Sequence, residues 1–591
     1  MLQPHLYRLS LLLGLAAAVI LMFSVVSRPE PLRSDAATDG FEAGQAANLT
    51  RQLLKAAPDR SPGSPGDDAA AAFVAKRFRG IEGGEVSEQL FDGRFDGEDV
   101  SLRNVTLVLP GLSSSRLVIA APRDCAGGQC AVSSGAATGA MLELAEAFGS
   151  VRHRKTIVFV SLDGSAAGAA GARQLADSLS AEPAEAAIVL SQPAARVLRR
   201  PLVIPWSSGP QSTSIQLIES AKEALGTELG AEGGVKLSTI GSLMRLAVPA
   251  GLGDQAPLIE SGVSAVGISS VGARPLPEGS DRLADLSVQT LGGVGRSVLS
   301  LAYALDGGAG LEHGPDAYVP LAGKLIPGWA LALLALALLI PVGVVSIDGL
   351  VRSARRGEHW VLALAWVLSR AIPFVAVMLL AYLLAAPGAI PDPAFPFDPA
   401  RFTPGVRGVA VLALLTAAFA VAVYYLHRLP LPEEGDEPVS AAIGSLIFLS
   451  ALGIWFANPY LALLLVPTAH LWLFAALPEM RGRLPLAAAA GVAGLVIPLL
   501  ALVHLGGVLG SGISTPWDLL LMFTGRHFGP LALVPLCLLG ACLLALLEVA
   551  ATRPTPPDLA RPDVRMRGPL TYAGPGSLGG TESALPGRSG R

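Results

Sequence analysis

The sequence predicts an α/β outer domain, with a mostly parallel sheet sandwiched by helices, and an α-helical polytopic membrane domain of about eight helices. Apolar residues make up 51% of the 591 residues and charged residues only 15%, against roughly 25% in an average globular domain. The apolar residues concentrate at the N-terminus and after residue 320, whereas residues 28–320 alternate between short apolar strands and amphipathic helices. The formal net charge of −4 gives no indication of a nucleic-acid partner.

The first apolar segment runs from Leu9 to Val26 without a charged side chain, which is long enough to cross a bilayer. We predict an uncleaved transmembrane anchor over residues 9–27. A cleaved signal peptide is the alternative, although its apolar region is usually only about 7–15 residues long. Further spans are predicted within a seven-helix membrane domain at residues 321–550, near 325–347, 360–386, 409–426, 439–456, 460–477, 484–505 and 529–550.

Arginine and lysine residues predict the orientation, because they concentrate in cytoplasmic loops. The loops "DGLVRSARRGEH" and "PEMRGRLP" are basic, whereas "PGAIPDPAFPFDPARFTPG" has few basic residues for its length. Residues 1–8 are therefore predicted to be a cytoplasmic N-terminus and residues 28–320 an extracytoplasmic domain. The Pro-, Gly- and Arg-rich segment 551–591 is predicted to be a disordered cytoplasmic tail.

The outer domain is predicted from alternating segments of strand and helix. The strands are continuous runs rich in Val, Ile and Leu, as is typical of a parallel sheet that is covered on both faces. They are predicted at 102–111, 116–122, 155–164, 184–192 and 262–270. The helices between and after them carry one apolar face, and are predicted at 138–148, 170–179, 212–225 and 286–306.

Several of these segments together resemble the aminopeptidase-type di-zinc exopeptidase fold, in order and in spacing. The similarity covers about residues 45–305 and is carried by "NVTLVLPG", "LVIAAPRD", "GAMLELAEAF", "KTIVFVSLDG", "AAIVLS" and "GDQAPLIESGVSAVGIS". The resemblance implies a peptidase-like outer domain with zinc ligands in the loops that follow the strands.

Most positions that the resemblance assigns to metal ligands carry other residues. Where a His-x-Asp pair is expected, Pro122 replaces the His and Asp124 is retained. Ser133 replaces the Asp that bridges the two metals, and Ser134 follows it in place of an Asn.

The remaining ligand positions follow the same trend. Ser165 and Ala166 stand where a Glu-Glu pair is expected, and Ser191 stands where another Asp is expected. Pro277 aligns with the last His. Asp254 in "GDQAPL" is a possible retained ligand, although the His that often follows it is a Gln. The resemblance is therefore to a degenerate member of the fold that lacks its metal ligands.

The residue chemistry leads to the same expectation without the resemblance. Zinc requires about four converging N, S or O donors, and the outer domain has only two histidines, His153 and His313. Asp124, Ser133, Ser134, Ser165 and Ser191 are predicted to line a cleft, but a nucleophilic serine needs a positioned base. We predict no catalytic residues, no metal site and no cofactor.

Cys125 and Cys130 in "DCAGGQC" are a candidate disulfide, because the predicted compartment is oxidising. Two free thiols, or a metal or redox role, are the alternatives. In the membrane domain, Arg370 and His470 are polar residues within predicted spans, and burial in hydrocarbon makes such residues costly. Arg370 is predicted either to line a polar cavity or headgroup site, or to pair with backbone carbonyls of a Pro-broken neighbour.

The whole architecture, an anchor, a metal-free peptidase-like domain and further helices, resembles the Gaa-type subunit of GPI transamidase. That resemblance implies a non-enzymatic binding and scaffold subunit, whose partners are other membrane proteins and a peptide or lipid-linked ligand. The Ala/Gly/Arg-rich composition indicates a bacterial plasma membrane, where a different partner is expected. An active membrane zinc aminopeptidase and a lipid or polysaccharide transporter component are the alternatives.

Overall fold

A computed structural model describes residues 3–551 of the chain except 231–237, 274–275, 277–278, 309, 313, 430–435 and 481–482. Three of the positions discussed above therefore lie outside the described residues: Pro277, His313 and the predicted tail after Ala551.

The outer domain is built on one seven-stranded sheet. Its strands are β2 (Glu85–Phe95), β3 (Glu98–Leu109), β4 (Arg116–Pro122), β5 (Thr156–Leu162), β6 (Ala184–Gln192), β7 (Val203–Ile204) and β8 (Ala265–Ser269). Their order is β2-β3-β5-β4-β6-β8-β7. The sheet is mixed, which corrects the prediction of a mostly parallel one: β5, β4, β6 and β8 pair in parallel, while β2, β3 and β7 pair antiparallel at the edges.

Helices cover both faces of this sheet. They are α2 (Ala43–Ala56), α3 (Pro65–Phe78), α4 (Ala136–Gly149), α5 (Ala170–Ala181), α6 (Ile215–Leu229), α7 (Thr239–Ala247), α8 (Gln255–Glu260) and α9 (Val288–Gly307). Alternate residues of β4 face two separate cores, because side chains alternate along a strand. Leu117 and Ile119 pack with α2, α4, α6 and α9, whereas Val118 and Ala120 pack with α5 and α8.

A small antiparallel sheet joins the outer domain to the membrane helices. β1 (Val26–Ser27) follows the first helix, and β9 (Tyr318–Leu321) and β10 (Lys324–Pro327) precede the next apolar helix. The order is β1-β10-β9, so the two connections between the domains pair with each other.

The apolar runs form helices, as expected, and we call this part of the chain the membrane domain. The helices are α1 (Pro4–Phe23), α10 (Gly328–Arg355), α11 (Trp360–Ser369), α12 (Ile372–Ala385), α13 (Gly405–Leu426), α14 (Asp436–Ala457), α15 (Pro459–Ala475), α16 (Leu484–Leu509), α17 (Thr515–Thr524) and α18 (Pro530–Ala551). Seven described helices are long and apolar enough to cross a membrane, with α11 and α12 counted as one span.

Two predicted spans differ from the structure in detail. The span predicted at 460–477 is α15, an apolar helix of 17 residues that is shorter than the other seven. The span predicted at 360–386 is interrupted at Arg370, where α11 ends before α12 begins. Pro373 accounts for a lost hydrogen bond at the break, because proline has no N–H to donate to the carbonyl of Ser369. Arg370 and Ala371 keep backbone angles in the α region.

Candidate functional site

A network of buried charges lies beneath the carboxyl ends of β4 and β5. Arg123 follows β4, and its side chain is fully buried. Its Nε lies 3.2 Å from Asp67 Oδ1, and its Nη2 lies 2.8 Å from Asp163 Oδ2. Asp163 also accepts a hydrogen bond of 2.6 Å from the Arg103 backbone N–H. Arg123 thus holds two carboxylates in place at the edge where the sequence predicts a cleft.

Asp124 lies next to this network but uses its oxygens differently. Oδ1 accepts a hydrogen bond of 3.0 Å from the Ser165 N–H, and Oδ2 accepts one of 2.8 Å from the Ala166 N–H. Burial raises the pKa of Asp124 to about 6, and the Asp163 carboxylate adds to this rise. The Asp124 carboxylate therefore accepts hydrogen bonds from the backbone turn that follows β5.

Ser165 links Asp124 to Asp254. The Ser165 hydroxyl donates a hydrogen bond of 2.8 Å to Asp254 Oδ2, while Asp254 Oδ1 is buried and has no partner in the described part of the chain. Burial raises the pKa of Asp254 to about 7. Asp254 immediately precedes α8, so its place is fixed by the start of that helix.

Ser191 and Ser165 line one small cavity with Asp254. Its volume is about 210 Å³, and the other side is formed by Pro396, Phe397 and neighbouring residues of the loop between α12 and α13. Among the described residues that line it there is no histidine or cysteine. Within this described lining, the Asp254 carboxylate accepts the hydrogen bond of the Ser165 hydroxyl, which is the position that a general base would occupy.

Ser133 and Ser134 belong to a different set of contacts. Asp281 Oδ1 accepts hydrogen bonds from the Val132 and Ser133 N–H groups, at 2.7 and 3.1 Å, and the Ser133 hydroxyl donates to Asp281 Oδ2. Ser134 Oγ is 3.4 Å from Arg60 Nη2. The structure therefore does not gather the five predicted cleft residues around one point.

The loop containing Cys125 and Cys130 is closed by a disulfide between them. Arg60 braces the same loop from below, since its Nε donates to the Arg123 carbonyl at 2.8 Å and its Nη2 donates to the Gln129 carbonyl at 3.1 Å. The Cys125 N–H in turn donates to the Arg60 carbonyl at 2.8 Å. The loop is thus held by covalent and backbone contacts.

These residues do not fit a di-zinc centre. No group of three or more His, Cys, Asp or Glu side chains that could hold a metal ion occurs in the part of the chain that the structure describes. Both Asp124 oxygens are occupied by backbone amides, and one Asp254 oxygen is occupied by Ser165. The donor set therefore falls short of the roughly four ligands that zinc requires.

The loop between α12 and α13 covers the carboxyl edge of the sheet. Asp392 lies 3.4 Å from Arg94, and Arg401 lies 3.2 Å from Asp96, so ion pairs connect the loop to β2 and to the turn after it. A Cβ at Gly168 would lie 2.6 Å from the Ala394 Cβ, so the close approach requires glycine there. The sequence analysis treated this loop only as evidence for orientation and missed its contact with the cleft.

A larger groove opens where the outer domain meets the membrane helices. Its volume is about 1390 Å³, above the roughly 300–1,000 Å³ of small-molecule pockets. Its lining is largely apolar and includes the charged residues Arg173, Glu260 and Arg526, whose side of the groove we call the rim. His527 also lines it, and burial lowers the pKa of His527 to about 4, so this side chain is neutral at pH 7.

The two predicted polar residues of the membrane domain both make specific contacts. Arg370 is fully buried and pairs with Glu548, at 2.9 Å from Nε and 2.6 Å from Nη2 to Oε2. One backbone carbonyl, that of Leu429, lies 3.4 Å away. The prediction of pairing with backbone carbonyls alone missed Glu548, a single acidic residue inside the last predicted span. His470 bridges two helices, since Nδ1 lies 2.7 Å from the Tyr7 hydroxyl and Nε2 lies 2.9 Å from the Leu338 carbonyl.

Sequence reasoning missed the acidic residues that organise the outer site. Asp163 directly follows β5, as Asp124 follows β4, and that repeated strand-end position was the available signal. Asp67 lies in the first turn of α3, and Asp281 lies 148 positions from Ser133 in sequence, so neither had a local signal.

No protein-family model and no curated protein sequence matches this chain. Among solved structures, it is similar to a glutaminyl cyclase of an Acidobacteriales bacterium, with 19% identity over 47% of this chain and 99% of that one and a TM-score of 0.38. It is similar to a glutaminyl cyclase of Porphyromonas gingivalis, with 17% identity over 45% and 98% of the two chains and a TM-score of 0.38. It is also similar to a zinc aminopeptidase from Bacillus subtilis, with 14% identity over 44% and 95% and a TM-score of 0.37. Each of these structures is matched over nearly its whole length by less than half of this chain.

Proposed function

We propose that this protein is a membrane-bound, non-hydrolytic binding and scaffold subunit that holds a lipid-linked ligand between its outer domain and its membrane helices. The groove of about 1390 Å³ between the two domains is the observation that carries this proposal. In this function the outer domain faces the extracytoplasmic side, and the helices contact partner membrane proteins.

The walls of the groove suit an acyl or isoprenoid chain. Leu465, Pro498 and Leu502 line it from the membrane helices, and Leu519 and Phe523 line it from α17. Leu502 is 36% exposed, although it lies in an apolar helix. Covering such surfaces with a hydrocarbon chain is favourable by about 0.8 kcal/mol for each methylene group that is removed from water.

The lining residues on α16 extend over a length comparable with one leaflet of a bilayer. Pro498 lies eleven residues before the end of α16 at Leu509, which corresponds to about 16 Å along the helix at 1.5 Å per residue. This is about half of the roughly 30 Å hydrocarbon core. A chain lying in the groove would extend from the rim to the middle of the membrane.

The rim suits a polar headgroup. Arg173, Glu260 and Arg526 place charges of both signs at the mouth, and the Arg173 guanidinium group also donates to the Phe395 carbonyl. The buried carboxylates of the outer domain contact Arg123, backbone amides and Ser165, so they hold the loops around the cleft. In our proposal this structural use of the carboxylates favours retention of a ligand.

The proposal is tested by the lipid that stays bound when the full chain is purified. We expect wild-type protein to retain lipid in native mass spectra, and Leu502→Trp to reduce the retained amount by roughly half or more, because the added indole fills the groove. Leu500→Trp is the matched control, since Leu500 lies on the same helix, is 54% exposed and does not line the groove.

Three outcomes would contradict the proposal. Equal lipid retention in wild type and Leu502→Trp would remove the groove as the binding site. Stoichiometric zinc together with release of amino acids from peptides would favour the aminopeptidase alternative. Isolation from native membranes without any partner protein would remove the scaffold role.

A further inference from the structure

Arg245 lies on a helix that rests at the outer ends of the membrane helices. This helix, α7, packs against α15 and α16. Asn458, which caps the start of α15, donates hydrogen bonds from Nδ2 to the carbonyls of Leu246 and Ala247, at 2.8 and 3.2 Å. Arg245 is therefore at the level where α15 begins, which is the headgroup region if α15 lies in a bilayer.

The guanidinium group of Arg245 has no anionic partner in the described part of the chain. Its carbon lies 3.3 Å from the centre of the Trp206 ring, so the planar group is stacked on the indole. Burial lowers the pKa of Arg245 to about 10, with no contribution from a nearby carboxylate, and the group remains positively charged at neutral pH. Stacking occupies the faces of a guanidinium group and leaves its N–H edge free to bind an anion in the plane.

A small cavity lies next to this group. Its volume is about 50 Å³, and it is lined by Trp206, Gln211, Ser242, Arg245 and Val508 among other residues. One water molecule needs roughly 10–15 Å³ by the same measure, so the cavity has room for a few heavy atoms. This is the size of a phosphate group.

Two further polar atoms near this cavity lack partners within the described residues. Gln211 Oε1 is buried without a hydrogen bond. His504 Nε2 is likewise buried and unpartnered, and His504 lies one helical turn before Val508 on α16, close enough for the charge of Arg245 to act on it. Buried polar groups are normally hydrogen-bonded. A phosphate would accept from the His504 ring when Nε2 carries the proton, and from Gln211 through its amide NH2 group.

We propose that this cavity binds a phosphate group, held by the N–H edge of Arg245 and covered by the Trp206 ring. Arginine fits phosphate through two parallel hydrogen bonds, which a lysine cannot reproduce. At headgroup depth the available phosphates are those of membrane lipids and of free phosphate in solution. The site adjoins the groove proposed above, since Gly209 and Val248 line both, but it depends on Arg245 and Trp206, which do not line the groove. Leu502→Trp should therefore leave it intact.

The test measures phosphate binding to the full chain in a neutral detergent. One probe is dihexanoyl phosphatidic acid, which carries a lipid phosphate, and the other is inorganic phosphate. Binding of each is measured by isothermal titration calorimetry. We expect Arg245→Gln to weaken binding at least tenfold and Arg245→Lys to weaken it less, because the lysine keeps the charge. Arg77→Gln is the matched control, since Arg77 is also stacked on an aromatic ring, at 5.6 Å from that of Phe73, but lies in the outer domain.

Each outcome decides the proposal. Tighter binding of the phosphatidic acid supports a lipid phosphate, and equal binding of both probes supports a site for free phosphate. No binding of either probe to wild type would overturn the site. Unchanged binding by Arg245→Gln would do the same, and if that variant fails to fold, equal affinities of Arg245→Lys and wild type would show that the guanidinium edge is not used.

Discussion

Two arginines with fully buried side chains, Arg123 in the outer domain and Arg370 in the membrane domain, are stabilised in different ways. Arg123 contacts two carboxylates, those of Asp67 and Asp163, and Asp124 lies close to both. Arg370 contacts one carboxylate, that of Glu548, and its guanidinium carbon lies 4.0 Å from the centre of the Trp366 ring.

The difference shows how the surroundings set the charge balance. In the outer domain two carboxyl groups contact Arg123, and burial raises the pKa of Asp67 to about 8, with the Asp163 carboxylate adding to the rise. Asp67 is therefore largely protonated at pH 7. In the membrane helices the pair is one to one, because an uncompensated charge in hydrocarbon is costly. Arg245 differs from both, since it is stacked on an aromatic ring but has no carboxylate partner among the described residues, and this is why we assign a ligand to it.

The largest effect is expected from removing the positive charge of the outer network. Arg123→Met would leave Asp67 and Asp163 buried beside each other without a cation. We expect the free energy of unfolding to fall by about 3–5 kcal/mol, the usual cost of breaking a buried pair by removing one partner. The measurement is the thermal midpoint of the full chain in detergent, together with the resistance of residues 28–320 to trypsin.

The matched control for this change is Arg79→Met. Arg79 also forms an ion pair, at 2.7 Å from Glu88, but its side chain is 60% exposed. Exposed pairs contribute about 0–1 kcal/mol, so the control should unfold close to wild type. Equal midpoints for Arg123→Met and Arg79→Met would show that the buried network does not depend on Arg123.

A smaller effect is expected in the membrane domain. Arg370→Met leaves Glu548 without its partner, and we expect a loss of about 2–3 kcal/mol in stability, at or below the roughly 3–5 kcal/mol of a fully buried pair, because Glu548 lies in the last turn of α18 and is partly exposed. The double variant Arg370→Met/Glu548→Gln should regain much of this loss, because no charge is then left unpaired. The thermal midpoints of wild type, Arg370→Met, Glu548→Gln and the double variant form a double-mutant cycle. If the effects of the two single changes simply add up in the double variant, the pairing is contradicted.

Only one of these two arginines could be singled out from the sequence. Arg370 stands out because it interrupts an apolar run, whereas Arg123 lies in a domain where charged residues are ordinary. The partner of Arg370 could not be predicted, because Glu548 is 178 positions away and only helix packing brings them together.

The same distinction, between local sequence patterns and contacts of distant residues, explains which parts of the fold were predictable. Five strands and four helices of the outer domain follow from local hydrophobic patterns, and those patterns survive in the structure. The antiparallel edges were missed, since β2 is exposed along much of its length and has no apolar run, and β7 has only two residues. The position of the loop between α12 and α13 over the cleft was missed, because it depends on contacts between two domains.

The smallest effect concerns Asp254, a buried carboxylate that lacks an arginine partner in the described residues. Its pKa in the folded chain is raised to about 7 by burial, whereas an unfolded Asp titrates near 3.9. Between these values the folded protein holds a proton that the unfolded chain has lost, so raising the pH in this window favours unfolding.

Asp254→Asn removes this dependence while keeping an acceptor for the Ser165 hydroxyl. From about pH 5.5 to about pH 6.5, we expect wild type to lose about 1 kcal/mol of stability relative to Asp254→Asn, close to the limit of 1.4 kcal/mol per proton and pH unit. Thermal midpoints of both proteins across this range provide the measurement, and Asp99→Asn, at an exposed position of β3, is the control. Parallel pH profiles for wild type and Asp254→Asn would mean that Asp254 is already ionised in the folded protein. A cation or an ammonium group would then have to neutralise it in the cavity that it shares with Ser191.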